Sequence, residues 1–259
     1  MKMQLIDTHC HLYLEAFVGD INAIIERASM EGVEQLLLPA IDSSELNNLL
    51  DLEKRWPQKC HAMMGLHPCS VKENYKEELA LVEYWLTQRP FIAIGEIGLD
   101  YYWDKTFIQE QQEAFHLQTE WALQYDKPIV IHSRNSIADC IDIVKQHQQR
   151  KPHGIFHCFS DDLSSAEKIM DLGFYMGIGG VLTYKNSGLA EVVKNIPLEY
   201  LVLETDAPYL TPVPFRGKRN ESSYLKYIVA KLAEVKKITV EEVAAVTTAN
   251  AKKIFGIPI

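Results

Sequence analysis

No stretch of this 259-residue chain approaches the ~18 consecutive apolar residues of a membrane-spanning helix. The opening "MKMQLIDTHC" has no long apolar segment after its one lysine, so no secretory signal is expected. Cysteines are few: Cys10, Cys60, Cys69, Cys140 and Cys158 are scattered, odd in number and without CxxC spacing. They read as free thiols of a reducing compartment and not as a disulfide framework. Positive charge is in deficit, with 26 Lys and Arg against 35 Asp and Glu and a net charge of −9. That argues against wholesale binding to polyanions and leaves any nucleic-acid contact to a local basic patch. Linkers, internal repeats and low-complexity segments are also lacking. The expectation is one soluble, cytoplasmic domain over residues 1–259, acidic and monomeric.

What the chain does have is an alternation. Eight short apolar runs recur: "QLIDTHCH", "VEQLLLPAI", "CHAMMGLHP", "FIAIGEIGLD", "PIVIHSR", "GIFHCFS", "FYMGIGG" and "YLVLETDAP". Between them stand segments of helical period, such as "DINAIIERASMEG" and "FIQEQQEAFHLQTEWALQYD", and two more helices are expected at about 222–235 and 239–253. Eight strands alternating with helices in about 250 residues predict an α/β fold, the (β/α)8 TIM barrel. An open doubly wound sheet is the alternative, disfavoured because no Gly-rich phosphate loop follows a strand.

Such barrels carry their sites at the carboxyl ends of the strands. There this chain places His9 and His11, His67, Glu96, His132, His157 and Asp206, each at the end of an apolar run. In a closed barrel these residues converge. Left dry and unpaired they would be costly, and divalent cations remove that cost. The ligands exceed what one tetrahedral ion needs, which points to two ions with Glu96 as the bridge. Glu204 shares the parity of Asp206 and reads as its supporting carboxylate; Asp7 stands in the same relation to His9. His61, His116, His147 and His153 fall at a strand start, a helix face, a helix end and a loop, and read as ordinary structural histidines. "PFRGKRN" supplies three cations in four positions after the last strand, suited to holding phosphates at the mouth.

The motifs "DTHCH", "GLHP", "GEIGLD", "IHSR", "HCFS", "ETDAPYL" and "RGKRN", in this order and down to the final "NAKKIFG", resemble the TatD family of metal-dependent deoxyribonucleases. The resemblance implies one metal on His9, His11, Glu96 and Asp206, and a second on Glu96, His132 and His157. It also implies substrate roles for His67, Arg134 and the loop with Arg216, Lys218, Arg219 and Asn220. Two positions depart from the commoner family pattern: Tyr13 stands where an acidic residue often follows "HxHL", and Ser222 stands where proline is usual.

The expected reaction is attack of a metal-activated hydroxide on a phosphodiester of single-stranded DNA, with Asp206 orienting or deprotonating the water. Glu96 and Glu204 complete the catalytic set. The resemblance points to action from the 3′ end. The metal is Mg, Mn or Zn, since imidazoles suit the last two and carboxylates the first. A carbonyl-ester or amide hydrolase, for example an aminoacyl-tRNA deacylase, is the alternative on the same two-metal site. A metal-binding scaffold without activity is a third reading.

Overall fold

A computed structural model describes residues 3–258. Its strands are β1 (Leu5–Asp7), β2 (Val33–Leu38), β3 (Cys60–Ala62), β4 (Ile94–Asp100), β5 (Ile129–Arg134), β6 (Gly154–Phe156), β7 (Tyr175–Ile178) and β8 (Leu201–Leu203). The helices are α1 (Ile21–Met30), α2 (Leu46–Arg55), α3 (Tyr75–Gln88), α4 (Ile108–Tyr125), α5 (Ile137–Gln146), α6 (Leu163–Asp171), α7 (Leu189–Asn195), α8 (Leu225–Lys236) and α9 (Val240–Phe255). All strand pairs are parallel, β1-β2-β3 in one sheet and β4 to β8 in chain order in another.

Hydrogen bonds join the two sheets on both sides. Met64 N–H reaches the Ala93 carbonyl at 3.2 Å and Gly95 N–H reaches Met64 at 3.0 Å, linking the β3 and β4 segments. Thr8 N–H reaches Leu203 at 3.0 Å and Asp206 N–H reaches His9 at 2.9 Å, linking the β1 and β8 segments. The strands therefore close into a ring, which satisfies the backbone groups that open sheet edges would leave unpaired.

Two apolar clusters hold the fold. Ile6, Leu37, Met63, Ala93, Val130, Ile155 and Val202 form the barrel's own interior, closed at the base by Ala251, Ile254 and Phe255 of α9. The larger cluster fills the space between strands and helices, with Leu5, Leu36, Leu38, Ile97 and Ile131 meeting Ile24, Leu49, Phe115, Val144 and Ile169. The periodic helices bury one stripe each, as Ile21, Ile24, Ile25 and Ala28 do in α1. Among the described residues no helix is long and apolar enough to cross a membrane. The five cysteines are free thiols.

Candidate metal centre

Above the interior plug the inward-facing residues change from apolar to imidazole and carboxylate. Glu96 lies within β4, where the pairing to β5 shifts register between Ile94 and Ile97. His132 lies within β5. His157 follows β6 directly, and Asp206 follows β8 by three residues. β1 ends at Asp7, earlier than the run through His11 suggests, yet the extended chain continues: Cys10 bridges to Ala207, and His11 N–H reaches Ala207 at 2.8 Å. Glycine makes one close approach possible. At Gly98, φ is +133° and a Cβ would stand 2.1 Å from the His132 carbonyl oxygen, so only glycine lets β4 lie this near β5.

The two oxygens of Glu96 face different partners. Oε2 is 3.1 Å from His9 Nε2 and 3.5 Å from His11 Nε2. Oε1 is 2.8 Å from His132 Nδ1, 2.8 Å from His157 Nε2 and 3.3 Å from His67 Nε2. Asp206 Oδ1 completes the first side, 3.8 Å from His9 Nε2 and 3.6 Å from His11 Nε2. Burial opposes the Glu96 charge, but the surrounding imidazoles of His157, His67 and His9 outweigh it and hold the carboxyl well below its ordinary range. Burial likewise disfavours the His157 cation, and Glu96 and Glu204 overcome that, raising His157 well above its usual value.

The donor set fits divalent cations. His9 Nε2 and His11 Nε2 are 3.2 Å apart. Two imidazole nitrogens each about 2.0–2.1 Å from one tetrahedral ion would stand roughly 3.3 Å apart. Donor atoms of His9, His11 and Asp206, of His9, Glu96 and His157, and of His67, Glu96 and His132 each gather within 4.8 Å. His67, expected on the substrate side, thus meets the Oε1 side of Glu96.

A supporting layer fixes the rings. His132 turns Nε2 to Asp100 Oδ2 at 2.9 Å, leaving Nδ1 for Glu96. His11 turns Nδ1 to the Tyr13 hydroxyl at 3.0 Å. His157 Nδ1 faces Glu204 Oε1 at 3.5 Å, and that oxygen accepts from Cys158 N–H at 2.5 Å. Glu204 is fully buried and supports His157, where the sequence reading paired it with Asp206. Asp7 supports no imidazole ring. Its carboxylate accepts from Thr205 N–H at 2.9 Å and Thr205 Oγ1 at 2.6 Å, tying β1 to the end of β8. Burial pushes its pKa up to about 7, against those hydrogen bonds. Asp100 is not among the residues singled out from the sequence, although it stands four residues after Glu96 in one strand, an even spacing that puts the two on one face.

A cavity of about 810 Å³ opens over the cluster, with His11, His67, Glu96, His132, His157 and Asp206 in its wall and Arg134, Trp103 and Tyr209 also lining it. Arg134, Arg216 and Lys218 are exposed, the second with its guanidinium 4.2 Å from the Tyr184 ring centre. Two loop residues are placed otherwise than expected. Arg219 pairs with Asp20 at 2.6 and 3.0 Å and reaches the Ala16 carbonyl, so both terminal guanidinium nitrogens are engaged. Asn220 is fully buried, and its amide donates to the Thr205 and Tyr209 carbonyls at 2.8 and 2.7 Å. Both correct the substrate-contact expectation: they brace the loop after β8.

Comparison with known proteins finds relatives along the whole chain. The TatD related DNase family model matches residues 6–256. The metal-dependent hydrolase YabD of Bacillus subtilis is 40% identical over 254 residues, covering 98% of this chain and 99% of its own. The crystal structure of YjjV, a TatD homolog from Escherichia coli, superposes with a TM-score of 0.93 at 32% identity, covering 100% of both chains. A TatD family hydrolase from Entamoeba histolytica shares the fold, with a TM-score of 0.83 at 23% identity over 98% of this chain and 99% of its own. The chain belongs to the TatD-related DNase family of metal-dependent hydrolases.

Proposed function

We propose that this protein hydrolyses phosphodiester bonds at the 3′ end of single-stranded DNA, using two divalent cations that share Glu96. The observation that carries the reading is the division of the Glu96 carboxylate, with His9 and His11 at Oε2 and His132 and His157 at Oε1. His9, His11, Glu96 and Asp206 would hold one ion, and Glu96, His132 and His157 the other. Divalent cations held by these residues would polarise a phosphoryl oxygen and lower the pKa of water.

The chain's own groups supply the rest. Asp206 touches the His9 and His11 nitrogens and lines the cavity, its side chain 14% exposed. Burial disfavours its charge, but His11, His9 and His157 outweigh that and keep it ionised, so its carboxylate can orient water and accept a proton. Glu204 holds His157 from behind. Arg134 lines the cavity and offers guanidinium donors to phosphate oxygens, and His67 lines it with its Nε2 turned to Glu96 Oε1 at 3.3 Å. The cluster lies below the cavity mouth, which suits a strand end more than an intact duplex.

The test uses a 5′-labelled single-stranded oligonucleotide with magnesium, manganese or zinc supplied separately after chelation. Shortening from the 3′ end that requires metal and vanishes in a folded Glu96→Ala variant is the expected result. Absence of cleavage by metal-loaded wild type, with hydrolysis of an aminoacyl ester instead, would overturn it.

A further inference from the structure

The turn after β4 is built around one carboxylate with two tasks. Asp100 Oδ2 holds His132 Nε2 at 2.9 Å, and Oδ1 accepts from the N–H groups of Tyr102 and Trp103 at 2.9 and 3.0 Å. Asp100 N–H in turn donates to Gln111 Oε1 of α4 at 2.9 Å. The turn is therefore fixed in the same frame as an imidazole of the metal centre.

What this rigid turn carries is aromatic and left in water. Trp103 is 68% exposed and Tyr102 52% exposed, their rings meeting edge-on at 4.9 Å. Arg134, from the end of β5, lays its guanidinium 3.9 Å from the Tyr102 ring centre and 5.2 Å from that of Trp103. Among the described residues no carboxylate pairs with that guanidinium. Trp103 and Arg134 line the cavity above the metal centre, with Tyr209 in the same lining. A large apolar ring exposed to solvent forgoes the stabilisation of burial and can recover it against a partner surface. An unpaired cation beside it selects a partner that is flat, apolar on its face and negatively charged at its edge. A nucleotide has that chemistry, because every base offers a π-face and carries a phosphate.

We propose that Trp103 is the platform on which an unpaired base of the substrate stacks, with Arg134, braced by Tyr102, receiving the adjoining phosphate. The inference rests on the single-stranded DNA reading above and names the residues that grip its unpaired nucleotide. A base inside a duplex already stacks on its neighbours and cannot offer its face. Recognition through a π-face tolerates all the bases, so the site grips a strand end with little sequence preference.

The test measures binding of two fluorescent single-stranded decamers with phosphorothioate linkages, one intact and one with its 3′-terminal positions abasic. Wild type, Trp103→Ala and Trp103→Phe, each with its metal, are compared by anisotropy, and thermal melting checks that all three are folded. Trp103→Ala should weaken binding of the intact decamer roughly 5- to 150-fold. The abasic decamer should bind weakly to wild type and little differently to Trp103→Ala. Trp103→Phe should restore most of the affinity for the intact probe. If wild type cleaves DNA while Trp103→Ala binds both probes as wild type does, or loses both equally, the platform is overturned alone. If wild type neither binds nor cleaves single-stranded DNA, the nucleic-acid reading and the platform fall together.

Discussion

The Tyr13 hydroxyl donates to the Pro39 carbonyl at 2.6 Å and stands 3.0 Å from His11 Nδ1. With its one hydrogen committed, the hydroxyl can only accept from Nδ1–H, which leaves the Nε2 lone pair of His11 facing His9 and Glu96. A neutral oxygen thus does the orienting where the family resemblance sets an acidic residue.

Tyr13→Phe should therefore lower metal affinity by about 10- to 100-fold, the usual effect of losing the hydrogen bond behind a ligating histidine. Calorimetric titration of the chelated protein with manganese measures it. Unchanged affinity in a folded variant would show that His11 needs no such support.

Glu204 depends on a missing side chain. A Cβ at Gly177 would stand 2.0 Å from Glu204 Oε2, so only glycine on β7 leaves room for this carboxylate. Gly177→Ala should destabilise the fold by about 1–3 kcal/mol through overpacking and should weaken metal binding as well. Glu204→Gln keeps the shape and should weaken metal binding without the same fall in melting temperature. If Glu204→Gln instead abolished turnover with metal affinity intact, Glu204 would be a proton carrier and not a support for His157.

Arg219 braces the loop after β8 through Asp20, so its removal should register as stability. Arg219→Ala should cost at most about 1 kcal/mol at neutral pH, since the pair is partly exposed. Arg219 hydrogen bonds hold the Asp20 carboxyl below its ordinary value of 3.8. A carboxylate depressed on folding stabilises above its unfolded pKa, and that contribution is lost as pH falls through the folded one. The difference between wild type and Arg219→Ala in denaturant unfolding should be full above pH about 5 and should fade below about 3.8. A difference that persists unchanged through that range would remove Asp20 as the partner.

The barrel was legible because its strands are near-continuous apolar runs and its helices bury one stripe each, patterns that local sequence carries directly. The imidazoles and Asp206 were legible because they stand at the ends of those runs, whereas Glu96 sits inside β4. Less visible was what depends on distant pairing. Arg219 sits in a basic run that resembles a phosphate-binding loop, but its partner Asp20 lies 199 residues away. Asn220 has the same neighbours in sequence, yet it folds inward to satisfy the Thr205 and Tyr209 carbonyls. Strand parity alone could not place Glu96, because β4 changes register between Ile94 and Ile97. Nor could it show that Glu204 backs His157, a contact made from the end of β8 past β7 to the end of β6.

The central claim is that one carboxylate serves two ions. Metal-free protein titrated with manganese, followed by atomic emission for stoichiometry and by electron paramagnetic resonance, tests it most directly. The account predicts two ions per chain and an exchange-coupled spectrum, with a folded Glu96→Ala variant losing the coupling and at least one ion. A single uncoupled ion in wild type, or a wild-type spectrum that Glu96→Ala leaves unchanged, would contradict it.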